Sequence, residues 1–98
     1  MELREAVCED IIKRRNTEVA PDNILIVPGG KVTMWHAILM FGGKSNEIIY
    51  PNPGFPIYES VINYTGSKAV PMILEDKTDF NVDIEKLKSL INKNTSLI

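Results

Sequence analysis

Ninety-eight residues, 44% of them apolar and 24% charged, hold material for one hydrophobic core and exclude several independent domains. A formal net charge of −2, from 11 basic and 13 acidic residues, leaves no broad cationic field to hold a nucleic-acid backbone. The longest uninterrupted apolar stretch, residues 37–41, falls far short of the roughly 20 a bilayer-spanning helix needs, and the charged start Met1-Glu2-Leu3-Arg4-Glu5 is unlike a secretory signal, so a cytoplasmic chain is expected.

Leu3, Val7 and Ile11 recur every fourth position, with acidic Glu2 and Glu5 at one end and basic Lys13, Arg14 and Arg15 at the other. This spacing predicts an amphipathic helix whose charges match its dipole. A turn-rich Val19-Ala20-Pro21-Asp22-Asn23 leads into Ile24-Leu25-Ile26-Val27, which reads as a strand buried on both faces. Pro28-Gly29-Gly30 breaks it, and from Lys31 a second helix runs to Gly42-Gly43. A short strand is expected over 47–50, a helix over 56–64 ending at Gly66, and a strand over 68–74 in which Pro71 argues for an edge position or an irregularity. Asp83 reads as the N-cap of a helix carrying Ile84, Leu87, Leu90 and Ile91, after which Ser96-Leu97-Ile98 opens a further strand. Strands alternating with helices predict a parallel α/β layer.

In open parallel sheets, ligands bind beyond the carboxyl ends of strands. Two loops there are unusual. Gly29 and Gly30 let the backbone pass close to a ligand, and the helix that follows turns N–H groups and the positive end of its dipole toward an anion such as a phosphate. Two glycines can equally serve a tight strand-to-helix turn. The Walker phosphate loop is excluded by Leu25 and Val32 where glycine and Ser/Thr are required, and the dinucleotide fingerprint lacks its spaced glycines. The second loop, Pro51-Asn52-Pro53-Gly54-Phe55-Pro56, is stiffened by its prolines. It either displays Phe55 for stacking on a flat ring or folds Phe55 back into the core.

Val27-Pro28-Gly29-Gly30-Lys31, the spacing to Glu47-Ile48-Ile49-Tyr50-Pro51-Asn52-Pro53-Gly54-Phe55-Pro56-Ile57-Tyr58, and the stretch 80–91 together resemble the class I/II aminotransferases, fold type I enzymes of the aspartate aminotransferase kind. The resemblance implies an α/β fold, a three-layer sandwich with a mainly parallel sheet. Residues 1–98 would be part of its large, cofactor-binding domain, truncated at both ends. It implies the cofactor pyridoxal 5'-phosphate, with the phosphate held at Gly30 and at Lys31, there mainly through the backbone N–H. Phe55 would stack on the pyridine ring where relatives often carry Trp. The parent enzyme would transfer an amino group between an amino acid and a 2-oxo acid and assemble as a homodimer or other homo-oligomer. The family's Schiff-base lysine and substrate-binding arginine fall beyond residue 98, so the 98 residues alone are expected to be inactive. A noncatalytic phosphate-binding module and a self-associating α/β module are the alternatives.

One cysteine, Cys8, and one histidine, His36, provide neither an intrachain disulfide nor a metal cluster, so no metal is expected. Cys8 reads as a small packing residue, Trp35 as a core or subunit-interface residue, and His36 as a hydrogen-bonded or exposed imidazole. Tyr50, Tyr58 and Tyr64 read as packing residues, and Glu75-Asp76 with Asp79 as a solvated loop.

Overall fold

The computed structural model describes residues 2–98; Met1, the first residue of the start weighed above as a secretory signal, lies outside them. The chain divides into two compact units, one ending at Val32 and one of Thr33–Ile98.

The first unit is built on helix α1 (Glu2–Arg15), with Glu2 and Glu5 in its first turn and Lys13, Arg14 and Arg15 in its last, as its charge pattern predicts. Arg14 Nε donates to Asp10 Oδ1 at 2.7 Å, one turn back. The helix stops where Asn16 takes a left-handed conformation at φ 49° and its N–H still reaches the Ile12 carbonyl. Arg4 then pins the 3-10 turn Pro21–Asn23 by donating to the Pro21 carbonyl at 2.6 Å and to Asp22 Oδ1 at 3.2 Å. Cys8, 6% exposed, packs as expected.

Residues 24–27 depart from expectation. They form no strand, and Leu25, 76% exposed, is far from buried on two faces. β-branched composition favours an extended chain but cannot supply the neighbouring N–H and C=O groups that make a ladder, and the described residues contain no strand paired with this one.

In the second unit, strands β1 (Glu47–Asn52), β2 (Lys68–Ile73) and β3 (Thr95–Leu97) form a parallel sheet in the order β2-β1-β3. Among the described residues the Pro71 strand therefore lies at an edge of the sheet, the first of its two expected alternatives. Helix α2 (Gly30–Phe41) precedes β1, α3 (Tyr58–Tyr64) joins β1 to β2, and α4 (Ile84–Leu90) joins β2 to β3. Consecutive Ile48 and Ile49, 2% and 3% exposed, point to opposite faces, so β1 is covered on both. On one face Ile48 packs with Ile38 of α2 and with Val61 and Ile62 of α3. On the other, Ile49 shares an apolar cleft with Met72, Val82 and Leu87. Helix, sheet and helix are the three layers of the expected α/β architecture.

Several boundaries shift: β2 ends at Ile73 and not at residue 74, α4 ends at Leu90 with Ile91 already extended, and β3 opens at Thr95. β1 runs on through Asn52, whose carbonyl accepts from Leu74 N at 2.8 Å, whereas the strand was expected to stop at Tyr50. α3 begins at Tyr58 and not at residue 56, because a turn closed by Tyr58 N on the Phe55 carbonyl occupies the intervening residues. The N-cap holds as read: Asp83 Oδ1 accepts from Glu85 N and Lys86 N at 3.0 and 3.1 Å.

A small polar knot closes the end of α2. A Cβ on Gly42 would lie 2.6 Å from both the Ile38 carbonyl oxygen and Thr65 Oγ1, so only glycine fits there. Buried Ser67 accepts from Gly43 N at 2.8 Å and meets Thr65 Oγ1 at 2.8 Å, while Thr65 donates to the Ile62 carbonyl. The α2–β1 turn is thereby tied to the α3–β2 turn.

The expected solvated loop at Glu75, Asp76 and Asp79 is more ordered than its composition suggests. Asp76–Thr78 forms a 3-10 turn, and Glu75 Oε2 meets Lys77 Nζ at 3.0 Å and Lys86 Nζ at 3.6 Å. At the start of β1, Glu47 accepts from Asn92 Nδ2 at 2.8 Å and from Lys68 Nζ at 2.9 Å.

Both carboxyls are held below the usual range, Glu47 first by the Asn92 amide and then by Lys68, Glu75 first by Lys77. A carboxyl depressed on folding stabilises the native state above its unfolded pKa of about 4.3, and that stabilisation is lost as pH falls through the lower folded value. The urea midpoint is therefore expected to drop from about pH 5 toward pH 3. Asn92→Ala should reduce that slope without abolishing it, since Glu75 still contributes.

Candidate functional site

The turn before α2 is shaped by Gly29, whose φ of 101° lies in the left-handed region that an L side chain resists, and whose N–H closes on the Val27 carbonyl at 2.8 Å. Gly30, the first residue of α2, is not left-handed, and a Cβ there would meet nothing within 4 Å. α1, α3 and α4 each carry glutamate in the first turn, and α2 carries no acidic residue there. Its twelve residues are long enough for aligned peptide dipoles to leave partial positive charge at that end. Exposed Lys31 follows. Chemically, this end of α2 suits an anion approached by main-chain N–H groups. Gly30 and Lys31 belong to the first unit and Phe55 to the second; the structure describes each within its own unit.

In the second unit, the loop after β1 turns sharply. A Cβ on Gly54 would collide with the Pro51 carbonyl oxygen, so the residue before Phe55 has to be glycine. Phe55 is 45% exposed and does not fold back into the core. Its ring lies edge-to-face with Tyr58, centroids 6.3 Å apart and planes at 69°. Tyr58 in turn lies 6.3 Å from Tyr50 at a tilt of 44°. Tyr50, Asn52, Gly54, Phe55 and Glu59 line a pocket of about 110 Å³. Burial, helped by the charge and hydrogen bonding of Glu59, pushes the Tyr50 phenol above its ordinary pKa.

Tyr50 and Tyr58 pack against the core as expected, but their link to Phe55 was not read from the sequence. The available signal was the spacing Phe55-Pro56-Ile57-Tyr58, which across a turn sets the first and fourth side chains side by side. Tyr64 corrects the reading of all three tyrosines as packing residues. At the last position of α3, beyond the stripe that Val61 and Ile62 press onto the sheet, it is 74% exposed and its ring lies 5.7 Å from that of Trp35. Trp35, 38% exposed, is no core residue, and His36 is exposed. Among the described residues no helix is long and apolar enough to cross a membrane, and no three His, Cys, Asp or Glu side chains are grouped to hold a metal ion.

The chain is 32% identical over 97 residues to a probable aspartate aminotransferase of Methanocaldococcus jannaschii, a match covering 99% of this chain and 25% of that protein. It is 28% identical over 99 residues to an aspartate aminotransferase of Sulfurisphaera tokodaii, again over 99% of this chain and 25% of that protein. Among solved structures, the aspartate aminotransferase from Thermus thermophilus with maleate superposes with a TM-score of 0.86 over 96% of this chain and 25% of its own, at 23% identity. An alanine aminotransferase from Pyrococcus furiosus gives 0.85 over 96% of this chain and 24% of its own, at 22% identity. At such identities the superpositions show the shared fold. The chain spans about a quarter of the length of the curated relatives it matches. Residues 1–98 match the family described as aminotransferase class I and II from end to end, and with the parallel α/β layers seen above this chain belongs to that family.

Proposed function

We propose that these 98 residues are the cofactor-gripping part of a pyridoxal-phosphate-dependent aminotransferase that moves an amino group between an amino acid and a 2-oxo acid. In this reading Gly30 and Lys31 hold the phosphate and Phe55 stacks on the pyridine ring. The observation that carries it is the start of α2, a glycine pair opening a helix with no carboxylate in its first turn, within a chain that matches the family throughout. Pyridoxal phosphate, when bound, takes up the electron pair released at the substrate's α-carbon. The residues of this chain would bind and orient it: main-chain N–H groups of α2 would hold the phosphate, the missing Cβ of Gly30 would ease its approach, and the half-exposed Phe55 ring would cover the flat heterocycle. As part of such an enzyme the chain would act in the cytoplasm within a homodimer or other homo-oligomer.

The test uses pyridoxamine phosphate, which has no aldehyde to react with surface lysines, and pyridoxamine, which has no phosphate. Calorimetric titration of the chain is expected to show binding of the first and at least about tenfold weaker binding of the second, as loss of a charge-assisted anion contact implies. Equal binding of the two, or none of either, would sink the phosphate assignment. No transamination is expected from the 98 residues, and borohydride trapping with pyridoxal phosphate should label no single lysine selectively. One selectively labelled lysine would overturn the inactive reading.

A further inference from the structure

We propose that Tyr58 is a positioning residue that sets the plane of the Phe55 ring, acting as the middle member of a row of rings running from the central strand to the surface. The proposal rests on the reading of Phe55 as the ring that stacks on the cofactor. Prolines at 51, 53 and 56 fix the loop's backbone but not the side-chain torsions of Phe55, and the terminal torsion of a phenylalanine is intrinsically broad. A half-exposed ring on such a loop takes one orientation only if another group holds it. Tyr58 does so across the turn closed by its own N–H on the Phe55 carbonyl at 3.1 Å, through an edge-to-face contact at 6.3 Å and 69°.

Tyr58 can act as a fixed reference because it is anchored from behind. It packs against the cluster of Ile38, Ile48, Val61 and Ile62, and its ring meets that of Tyr50, a residue of the central strand, at 6.3 Å. Tyr50 shares a pocket with Glu59 and Phe55. The row thus starts on the best-covered strand of the sheet and ends on a ring that is 45% exposed. Stacking depends on the plane and offset of the two rings, so a Phe55 that lacked the Tyr58 contact would meet a flat ligand less often in a productive orientation.

The experiment is aromatic NMR on the 98-residue chain beside titration with pyridoxamine phosphate, using wild type, Tyr58→Leu and Tyr58→Phe. Wild type is expected to show nuclear Overhauser contacts between the Phe55 and Tyr58 rings. Tyr58→Leu should move the Phe55 ring signals toward averaged values while the amide signals of β1 and β2 persist, and should weaken pyridoxamine phosphate binding about two- to tenfold. Tyr58→Phe should restore both, because the contact uses the ring and not the hydroxyl. Absent ring contacts in wild type, or Phe55 signals unmoved in Tyr58→Leu, would overturn the proposal. If Tyr58→Leu does not fold, the wild-type contacts and the retention of Phe55 shifts in Tyr58→Phe decide it. Phe55 signals that move as expected in a chain that binds no pyridoxamine phosphate would support the ring contact and overturn the cofactor reading.

Discussion

Ile62→Ala is expected to destabilise the chain by about 2–5 kcal/mol, read as a fall in the urea midpoint with little change in slope. Ile62 is fully buried. It is enclosed by Ile48 of the central strand, Ile38 of α2 and its neighbour Val61, so the space left by the lost carbons is bounded by a hydrogen-bonded sheet and two helices that cannot close over it. Small domains hold about 5–15 kcal/mol in total, and a chain with so few buried side chains belongs at the low end. The substitution therefore removes a large share of the stability. Ile62→Val should cost about 0.5–1.5 kcal/mol. Leu25→Ala, at a position 76% exposed, should stay within about 0.5 kcal/mol of wild type. A comparable loss at Leu25 would mean that the core is not where the cluster around Ile48 puts it.

Gly30→Glu has the opposite character, a large effect on binding with none on folding. A Cβ at this position meets nothing, and the backbone is not in the glycine region, so a side chain is accommodated without strain. A carboxylate at a helix start is favourable by about 0.3–1 kcal/mol, and replacing glycine restricts the unfolded chain. The variant should melt at or above the wild-type temperature. The same carboxylate would bring a negative charge to the first position of α2 and repel a phosphate, so pyridoxamine phosphate binding is expected to fall by at least about tenfold, more at low salt than at high. Unchanged binding in this folded variant would remove the phosphate from the start of α2. Gly30→Ala, which adds a Cβ without charge, should weaken binding less than Gly30→Glu, and the difference between the two variants isolates the effect of the charge.

What could be read from the sequence was what is decided locally or by periodicity. Asp83 caps α4 because its carboxylate reaches N–H groups two and three residues on. Pro71 lacks a donor, which pointed to an edge or an irregularity, and among the described residues its strand lies at an edge. The glycine pair at the start of α2 and the proline-framed Phe55 each had an ordinary structural reading as well, and stood out only through their occurrence together at the expected spacing. Residues 24–27 misled for the converse reason, since a strand is a relation between segments and its partner cannot be read from one of them. The row Tyr50-Tyr58-Phe55 was likewise hidden, because the Tyr50–Tyr58 contact exists only once α3 packs on β1. Gly54 gave no sign that it sits against the Pro51 carbonyl, a constraint that arises from the path of the loop.

The register of β1 also dictates an order of events. Glu47 is paired with Lys68 on one side and with Thr95 on the other, so the central strand gains its second neighbour only once the chain has been made through Thr95. During synthesis, β1 and β2 would leave the ribosome and have to persist as a two-stranded ribbon, with the β1 edge that later pairs with β3 left open, until β3 arrives. Such high contact order places sheet closure on the slow end of folding, in the millisecond-to-second range, and makes the nascent ribbon the stage at which intermolecular pairing competes most effectively with the native partner.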